Sequence, residues 1–308
     1  MNKKCGKANI MAKPLVISHR GASGYRPENT LEAFELGIAQ GADGIEFDVV
    51  LTKDQHVIIR HENALSETTN ISKIPELQSL RRVGAVDGEV RTDWFSEDLT
   101  LEQIKKLRAI ERVPDTRPGS SKFDEQFEIS TLRELLDQKF IDEKIVVCEL
   151  KSGSHLEVLN DEFGEIAATV IAESGALARG VDLIIESFDY ELLLGSKQAM
   201  EKRRLKAKYF LALDQVKVET VEFDSLSWQL DGLAISLAML KTQPDWVETA
   251  HAAGLVIWAY TARAEEATTS IEAYYEEIIK SGVDGIFADQ PDLLRRVIAD
   301  RSGSAYDY

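Results

Sequence analysis

The stretch VVLTKDQHVIIRH, residues 49–61, decides how many barrel strands the chain contains. Two apolar runs in it are separated only by Thr52 to Gln55. A parallel crossover needs a dozen or more residues, so the second run must return antiparallel beside the first. Short apolar runs of strand character number nine in all: 15-LVISHR, 44-GIEFDVV, 56-HVIIRH, 145-IVVCEL, 182-DLIIESF, 206-KAKYFLAL, 232-GLAIS, 255-LVIWAY and 284-DGIFA. Counting 44–50 and its hairpin excursion as one element leaves eight.

Working outward, helical patterns lie between most of these runs. Asn29 with Glu32 reads as a capping box, followed by Leu31, Phe34 and Ile38 at helical spacing. Thr242 reads as a cap with Pro244 in the first turn. Gly41, Gly175, Gly254 and Gly282 each stand where a helical pattern stops, shortly before a strand run. Glycine there tolerates the left-handed backbone that ends a helix. Repeated helix–Gly–strand units imply parallel strands with helical crossovers, and eight of them predict an α/β fold, a (β/α)8 TIM barrel. Residues 1–14 read as an N-terminal arm, 15–300 as a single barrel domain and 301–308 as a tail. An insertion over 62–143, rich in charge and loops, follows the second strand and its hairpin. It carries short helix candidates starting at Thr100 and Thr131, and its length suits a lid or substrate wall, or plain surface elaboration.

Composition narrows the partners. With 44% hydrophobic residues the chain is globular. Its 36 basic against 53 acidic residues leave a net charge of −17, which repels nucleic acid and anionic membrane. An anionic substrate therefore needs a local cation or metal. Cys5 and Cys148 make no disulfide framework, so a reduced compartment is expected. The opening MNKKCGKANIMAKP shows no apolar core of a signal peptide, and no run approaches the roughly 20 apolar residues of a membrane span. The visible N-terminus thus reads as cytoplasmic, or as exported with a leader removed.

Barrels carry their reactive groups at the C-terminal ends of strands. Those ends present His19-Arg20, Glu46 and Asp48, His61, Glu149 and Lys151, Phe188, Trp258 and Tyr260. Glu46 and Asp48 are two apart on a strand and share a face, as do Glu149 and Lys151. Crowded carboxylates stay ionised only beside something cationic. All-oxygen ligands suit a hard cation such as Ca²⁺ or Mg²⁺. Arg20 and Lys151 would add positive charge for a phosphate. His19 and His61, two of five histidines, could serve as base and acid on either side of a phosphorus atom. His56, His155 and His251 look structural. No GxSxG elbow, phosphate-binding GxxxxGK[ST] loop or CxxC pair competes.

All of these site residues but Trp258 and Tyr260 sit in HRGASGYRPENTLEAF (19–34), GADGIEFDVVLTKDQHVIIRHE (41–62), ELK (149–151) and ESFD (186–189), with GVDGIFADQPD (282–292) further on. Together they resemble the glycerophosphodiester phosphodiesterase family from about residue 15 to 297. The long insertion and the late AYTAR (259–263) are closer to its bacterial periplasmic type. The resemblance implies a phospholipase-C-like barrel that hydrolyses glycerophosphodiesters, a small-molecule substrate, to sn-glycerol 3-phosphate and an alcohol. By position it implies one divalent cation, usually Ca²⁺ with Mg²⁺ as the alternative, on Glu46, Asp48 and Glu149. His19 and His61 would be the acid–base pair, Arg20 and Lys151 the phosphate grip, and Glu28 a support. Phe188 and Tyr260, with Trp258 on the same strand face, would wall the glycerol pocket. The family's His-Asp is His61-Glu62 here, and its Lys-Asp-Gly turn is 53-KDQ. Asp289 and Pro291 read as a structural strand end. A lysophospholipase D acting on lipid-tailed diesters would keep this site and change its wall. A non-catalytic phosphate-binding barrel would require a broken constellation.

Overall fold

The chain runs back on itself directly after its second strand, and this hairpin separates the barrel from everything inserted beside it. In the computed structural model, residues 13–86, 88–151, 160–214 and 221–302 are described; Cys5, His155, the N-terminal arm before residue 13 and the tail beyond 302 lie outside them. The strands are β1 (Leu15–His19), β2 (Gly44–Leu51), β3 (Val57–Ile59), β4 (Arg82–Val86), β5 (Glu89–Asp93), β6 (Ile145–Leu150), β7 (Asp182–Ser187), β8 (Lys208–Leu213), β9 (Gly232–Ser236), β10 (Val256–Ala262) and β11 (Gly285–Ala288). Eight of them pair in parallel in the order β1-β11-β10-β9-β8-β7-β6-β2, and β2 pairs back to β1. That closure makes a (β/α)8 barrel. β3 lies antiparallel on β2, with Val49 opposite Ile59 and Leu51 opposite Val57, so it is the expected hairpin excursion.

Both faces of the barrel strands are buried, which is why they read as apolar runs. Inside, Ile17, Val147, Ile184, Phe210, Trp258 and Phe287 form one cluster. Space for these rings comes from missing side chains on adjacent strands. A Cβ on Gly285 would meet the Trp258 ring at 2.7 Å, and one on Gly232 would meet Phe210 at the same distance. Outside, helices such as Leu31–Ala39, Tyr190–Lys202 and Ile271–Lys280 cover the strands. The four helix-ending glycines all have positive φ, between 67° and 86°. Aspartates just before strands pin the neighbouring strand. Asp43 accepts from the Val16 amide at 2.8 Å, Asp231 from Tyr209 at 2.9 Å and Asp284 from Ile257 at 2.8 Å.

Three local expectations are corrected. The cap of the helix Leu31–Ala39 is Thr30, whose extended backbone (φ −118°, ψ 152°) lets its hydroxyl accept from Ala33. Asn29 has φ 59° and turns its side chain inward instead. Thr242 ends the helix Leu237–Thr242, which Ser236 caps; the next helix, Trp246–Ala252, has Asp245 at its cap position. Within the insertion, expected to be rich in loops, β5 pairs with β4. Val83 and Val90 there are 64% and 76% exposed, so apolar residues face both sides and no apolar–polar alternation marks the pair.

The insertion is otherwise well packed. Thr100 and Thr131 both close capping boxes, as expected. Leu65, Ile71, Trp94, Leu99 and Ile104 build its own apolar core against Val50 and Ile58 of the hairpin. No helix among the described residues is long and apolar enough to cross a membrane.

Candidate active site

Strand register brings the charged residues to one level. His19 pairs with Glu46 across β1 and β2, Asp48 with Glu149 across β2 and β6, and Glu149 with Glu186 across β6 and β7. The similar octets GADGIEFD (41–48) and GVDGIFAD (282–289) differ for the same reason. Phe287 is level with Ile17, one layer below, where the barrel interior needs filling. Glu46, its counterpart in the first octet, stands beside His19 at the mouth.

One carboxylate oxygen each from Glu46, Asp48 and Glu149 lies within 4.8 Å of the others, and all three side chains are buried. Burial pushes the Glu46 carboxyl well above the usual range, with Asp48 and Glu149 adding to the rise. Burial also lifts Glu149, to about 7, with Asp48 adding and Lys151 opposing. Asp48 behaves oppositely. Its burial is outweighed by His61, Lys151, Arg20 and the Asn29 amide, which hold it well below the ordinary carboxylate value. Glu186, also buried and pushed up by burial and then by Glu149, has an Oε2 with no hydrogen-bond partner among the described residues. Uncompensated carboxyls packed this closely, with an unpartnered buried oxygen beside them, fit a hard divalent cation.

Two imidazoles flank the carboxylates in matching fashion. His19 Nδ1 is 2.6 Å from Asp289 Oδ1, and His61 Nδ1 is 2.6 Å from Glu62 Oε1. Each bond fixes the ring and turns Nε2 inward, 3.9 Å from Glu46 for His19 and 4.0 Å from Asp48 for His61. Burial and then Arg20 lower His19 to about 4 against the pull of Asp289. Burial, Arg20 and Lys151 lower His61 as well. Glu62 thus holds the His61 ring through Nδ1, and Asp289, expected as a structural strand end, holds that of His19 in the same way.

The cations complete the rim. Arg20 donates from its backbone amide to Glu46 at 2.9 Å and from Nη1 to Glu28 at 3.2 Å, while its Nε lies 3.3 Å from Asp48. Lys151 donates to Glu149 at 2.6 Å and lies 3.3 Å from Asp48. Its ammonium also stands 5.5 Å over the Phe188 ring. Phe188 and Tyr260 meet edge to face at 5.9 Å, and Tyr260 Oη donates to the Leu213 carbonyl at 2.6 Å. Trp258 lies deeper, in the interior cluster against which both rings pack. Next to His19 opens a cavity of about 280 Å³, lined in part by Arg20, Arg112, Arg117, Arg263 and Asp289.

All the residues singled out from sequence therefore converge, with Trp258 one layer down. Sequence reading missed several others. Asn29 donates to Asp48 Oδ2 at 2.9 Å, but its inward turn depends on a left-handed backbone. Glu186 carried a signal, an acid directly after the apolar Leu183–Ile185 and aligned with Glu149. Asp289 occupies the place of Asp48 in the repeated octet. Arg112 and Arg117 had no local signal.

Fold and similarity together define an enzyme, a hydrolase of phosphoric diesters. The chain belongs to the glycerophosphoryl diester phosphodiesterase family, whose model matches residues 19–293. A glycerophosphodiester phosphodiesterase of Caldanaerobacter subterraneus subsp. tengcongensis is 31% identical over 289 residues, 93% of this chain and 98% of the relative. Among solved structures, an Oleispira antarctica phosphodiesterase in complex with the product sn-glycerol-3-phosphate superposes with a TM-score of 0.67 at 22% identity, covering 92% of this chain and 96% of that one. A glycerophosphodiester phosphodiesterase from Agrobacterium tumefaciens gives 0.63 at 21% identity, covering 92% and 99%. These two structures share the fold.

Proposed function

We propose that the chain hydrolyses glycerophosphodiesters to sn-glycerol 3-phosphate and an alcohol, using one divalent cation held by Glu46, Asp48 and Glu149, with Ca²⁺ as the first candidate and Mg²⁺ the second. The observation that carries this is the paired imidazoles, each fixed at Nδ1 by a carboxylate with Nε2 turned toward one acidic cluster. When bound, the cation supplies Lewis-acid stabilisation of charge growing on the phosphoryl oxygens. Arg20 and Lys151 hold and orient the phosphodiester. One imidazole Nε2 takes the proton of the nucleophile and the other delivers one to the departing alcohol. Burial keeps both rings neutral in the free protein, and an arriving phosphodiester anion favours protonation of the ring that acts as acid. Phe188 and Tyr260 wall the glycerol end with Trp258 behind them, and Glu28 supports Arg20.

A lipid-tailed substrate fits less well, because Arg112, Thr116 and Arg117 of the insertion line the cavity beside His19 with polar groups. A purely binding role leaves both carboxylate-held imidazoles without a purpose. The test is release of glycerol 3-phosphate from glycerophosphocholine, first with EDTA and then with Ca²⁺ or Mg²⁺ restored. We expect release only with metal, and none from His19→Ala, whose metal affinity should be retained. Metal-independent turnover, or an active His19→Ala enzyme, would overturn the assignment.

A further inference from the structure

Arg112 and Arg117 stand five residues apart on one inserted segment, and each reaches the carboxylate behind a different histidine. Arg112 forks across Glu62, with Nη1 at 2.8 Å from Oε1 and Nη2 at 2.8 Å from Oε2. Its Nε and Nη2 fork again across Glu28, at 2.9 and 2.8 Å. Arg117 pairs with Asp289 through Nη2, on an oxygen it shares with Arg263 Nε at 3.1 Å, donates from Nε to Glu265 at 2.6 Å, and donates from Nη1 to the Ser23 carbonyl at 3.1 Å. The Ser23 hydroxyl in turn donates to the His19 carbonyl at 2.8 Å, closing a ring of contacts around that histidine. These are not loose surface pairs. The side chains of Arg117 and Asp289 are 9% and 3% exposed, and those of Arg112 and Glu62 are 22% and 11%.

We infer that the inserted segment 112–117 is a positioning device for both imidazoles, in which Arg117 holds Asp289 on His19 and Arg112 holds Glu62 on His61. A carboxylate bound through one oxygen can still rotate about its last torsion. An arginine on the second oxygen fixes its plane, and hence the ring it orients. The insertion thereby becomes part of the catalytic apparatus without touching the reacting atoms. The inference rests on the acid–base roles given above for His19 and His61, and its test separates the two.

The test uses the full chain with ¹⁵N-labelled histidine, whose ring resonances report tautomer and hydrogen bonding in the absence of substrate. There are only five histidines, so His19→Gln and His61→Gln assign the two that matter. Arg117→Gln should shift the His19 ring signals and leave those of His61, and Arg112→Gln should do the reverse. Each should cut kcat by about 10- to 100-fold with little change in KM, the scale expected for a misplaced catalytic group. Arg→Lys at either position keeps the charge but not the fork, so it should fold and still show the selective shift with partial recovery of kcat. Should a glutamine variant fail to fold, its lysine counterpart decides. An anchor that merely fastens the insertion would lower stability while moving both histidines equally or neither, and that result overturns the inference. An active wild type with unshifted variants refutes the clamp alone. A wild type releasing no glycerol 3-phosphate refutes the proposed function.

Discussion

Asp289→Asn gives a sharply defined perturbation, because the surroundings dictate which way the new amide must face. Oδ2 of Asp289 receives Arg117 Nη2 and, at 3.1 Å, Arg263 Nε. Two cationic donors require an acceptor there, so the amide oxygen takes that place and the amide nitrogen takes the place of Oδ1, 2.6 Å from His19 Nδ1. An N–H pointing at Nδ1 drives the imidazole proton to Nε2, which should be free to accept. Reversing a catalytic imidazole's tautomer by the same exchange costs about 10⁴ in kcat in the serine-protease triad, and a similar loss is expected here. Stability should fall too. Asp289 is 3% exposed, and removing one member of a buried ion pair costs about 3–5 kcal/mol. The cost should depend on pH in a fixed direction. Burial raises the Asp289 carboxyl, but His19, Arg117 and Arg263 outweigh it and hold the folded-state pKa below the ordinary value of 3.8. The contribution is therefore fully present above about pH 5 and shrinks as pH falls through the unfolded pKa toward the lower folded one. The assays are kcat for glycerol 3-phosphate release and urea midpoints of both proteins at pH 7 and pH 3.5. A variant within tenfold of wild-type kcat, or a stability gap that widens in acid, would refute the reasoning.

Four further outcomes follow from other features. Because burial raises Glu46 and Glu149, cation binding near pH 6 should expel protons; calorimetry in buffers of different ionisation enthalpy would show it, and a buffer-independent heat would count against the site. Stripping the metal should also lower the unfolding midpoint, since a ligand at a hundred times its Kd stabilises by about 2.7 kcal/mol. Gly285→Ala should cost about 1–3 kcal/mol through its clash with the Trp258 ring, readable as a urea midpoint; an unchanged midpoint would show that the interior layer has slack. Gln55→Gly should raise stability by about 0.5–1 kcal/mol by relieving a left-handed residue at φ 61°, measured by thermal unfolding at neutral pH.

What the sequence revealed depended on whether the signal was local. Barrel strands buried on both faces show as apolar runs, and charges inside such runs, as in GIEFDVV and IVVCELK, stand out at once. The hairpin was readable because a four-residue gap forbids a crossover. Asn29 and Thr30 are chemically interchangeable caps, and only the sign of a backbone angle separates them. The β4–β5 hairpin escaped because its exposed valines carry no burial pattern. Arg112 and Arg117 escaped because their partners lie 50 and 172 residues away, a distance that no window of sequence spans.

The His19–Asp289 contact joins residues 270 apart, from the first strand of the barrel to the end of the last. Synthesis proceeds from the N-terminus, and β1 finds its partner β11 only when the final segment has emerged. Glu46, Asp48, His61 and Glu149 have by then long been made, yet His19 lacks the group that sets its tautomer. A C-terminally truncated chain lacks both the strand that closes the barrel on β1 and the carboxylate that holds the His19 ring. Onset of activity would mark ring closure itself, which makes the reaction a clock for the last step of folding.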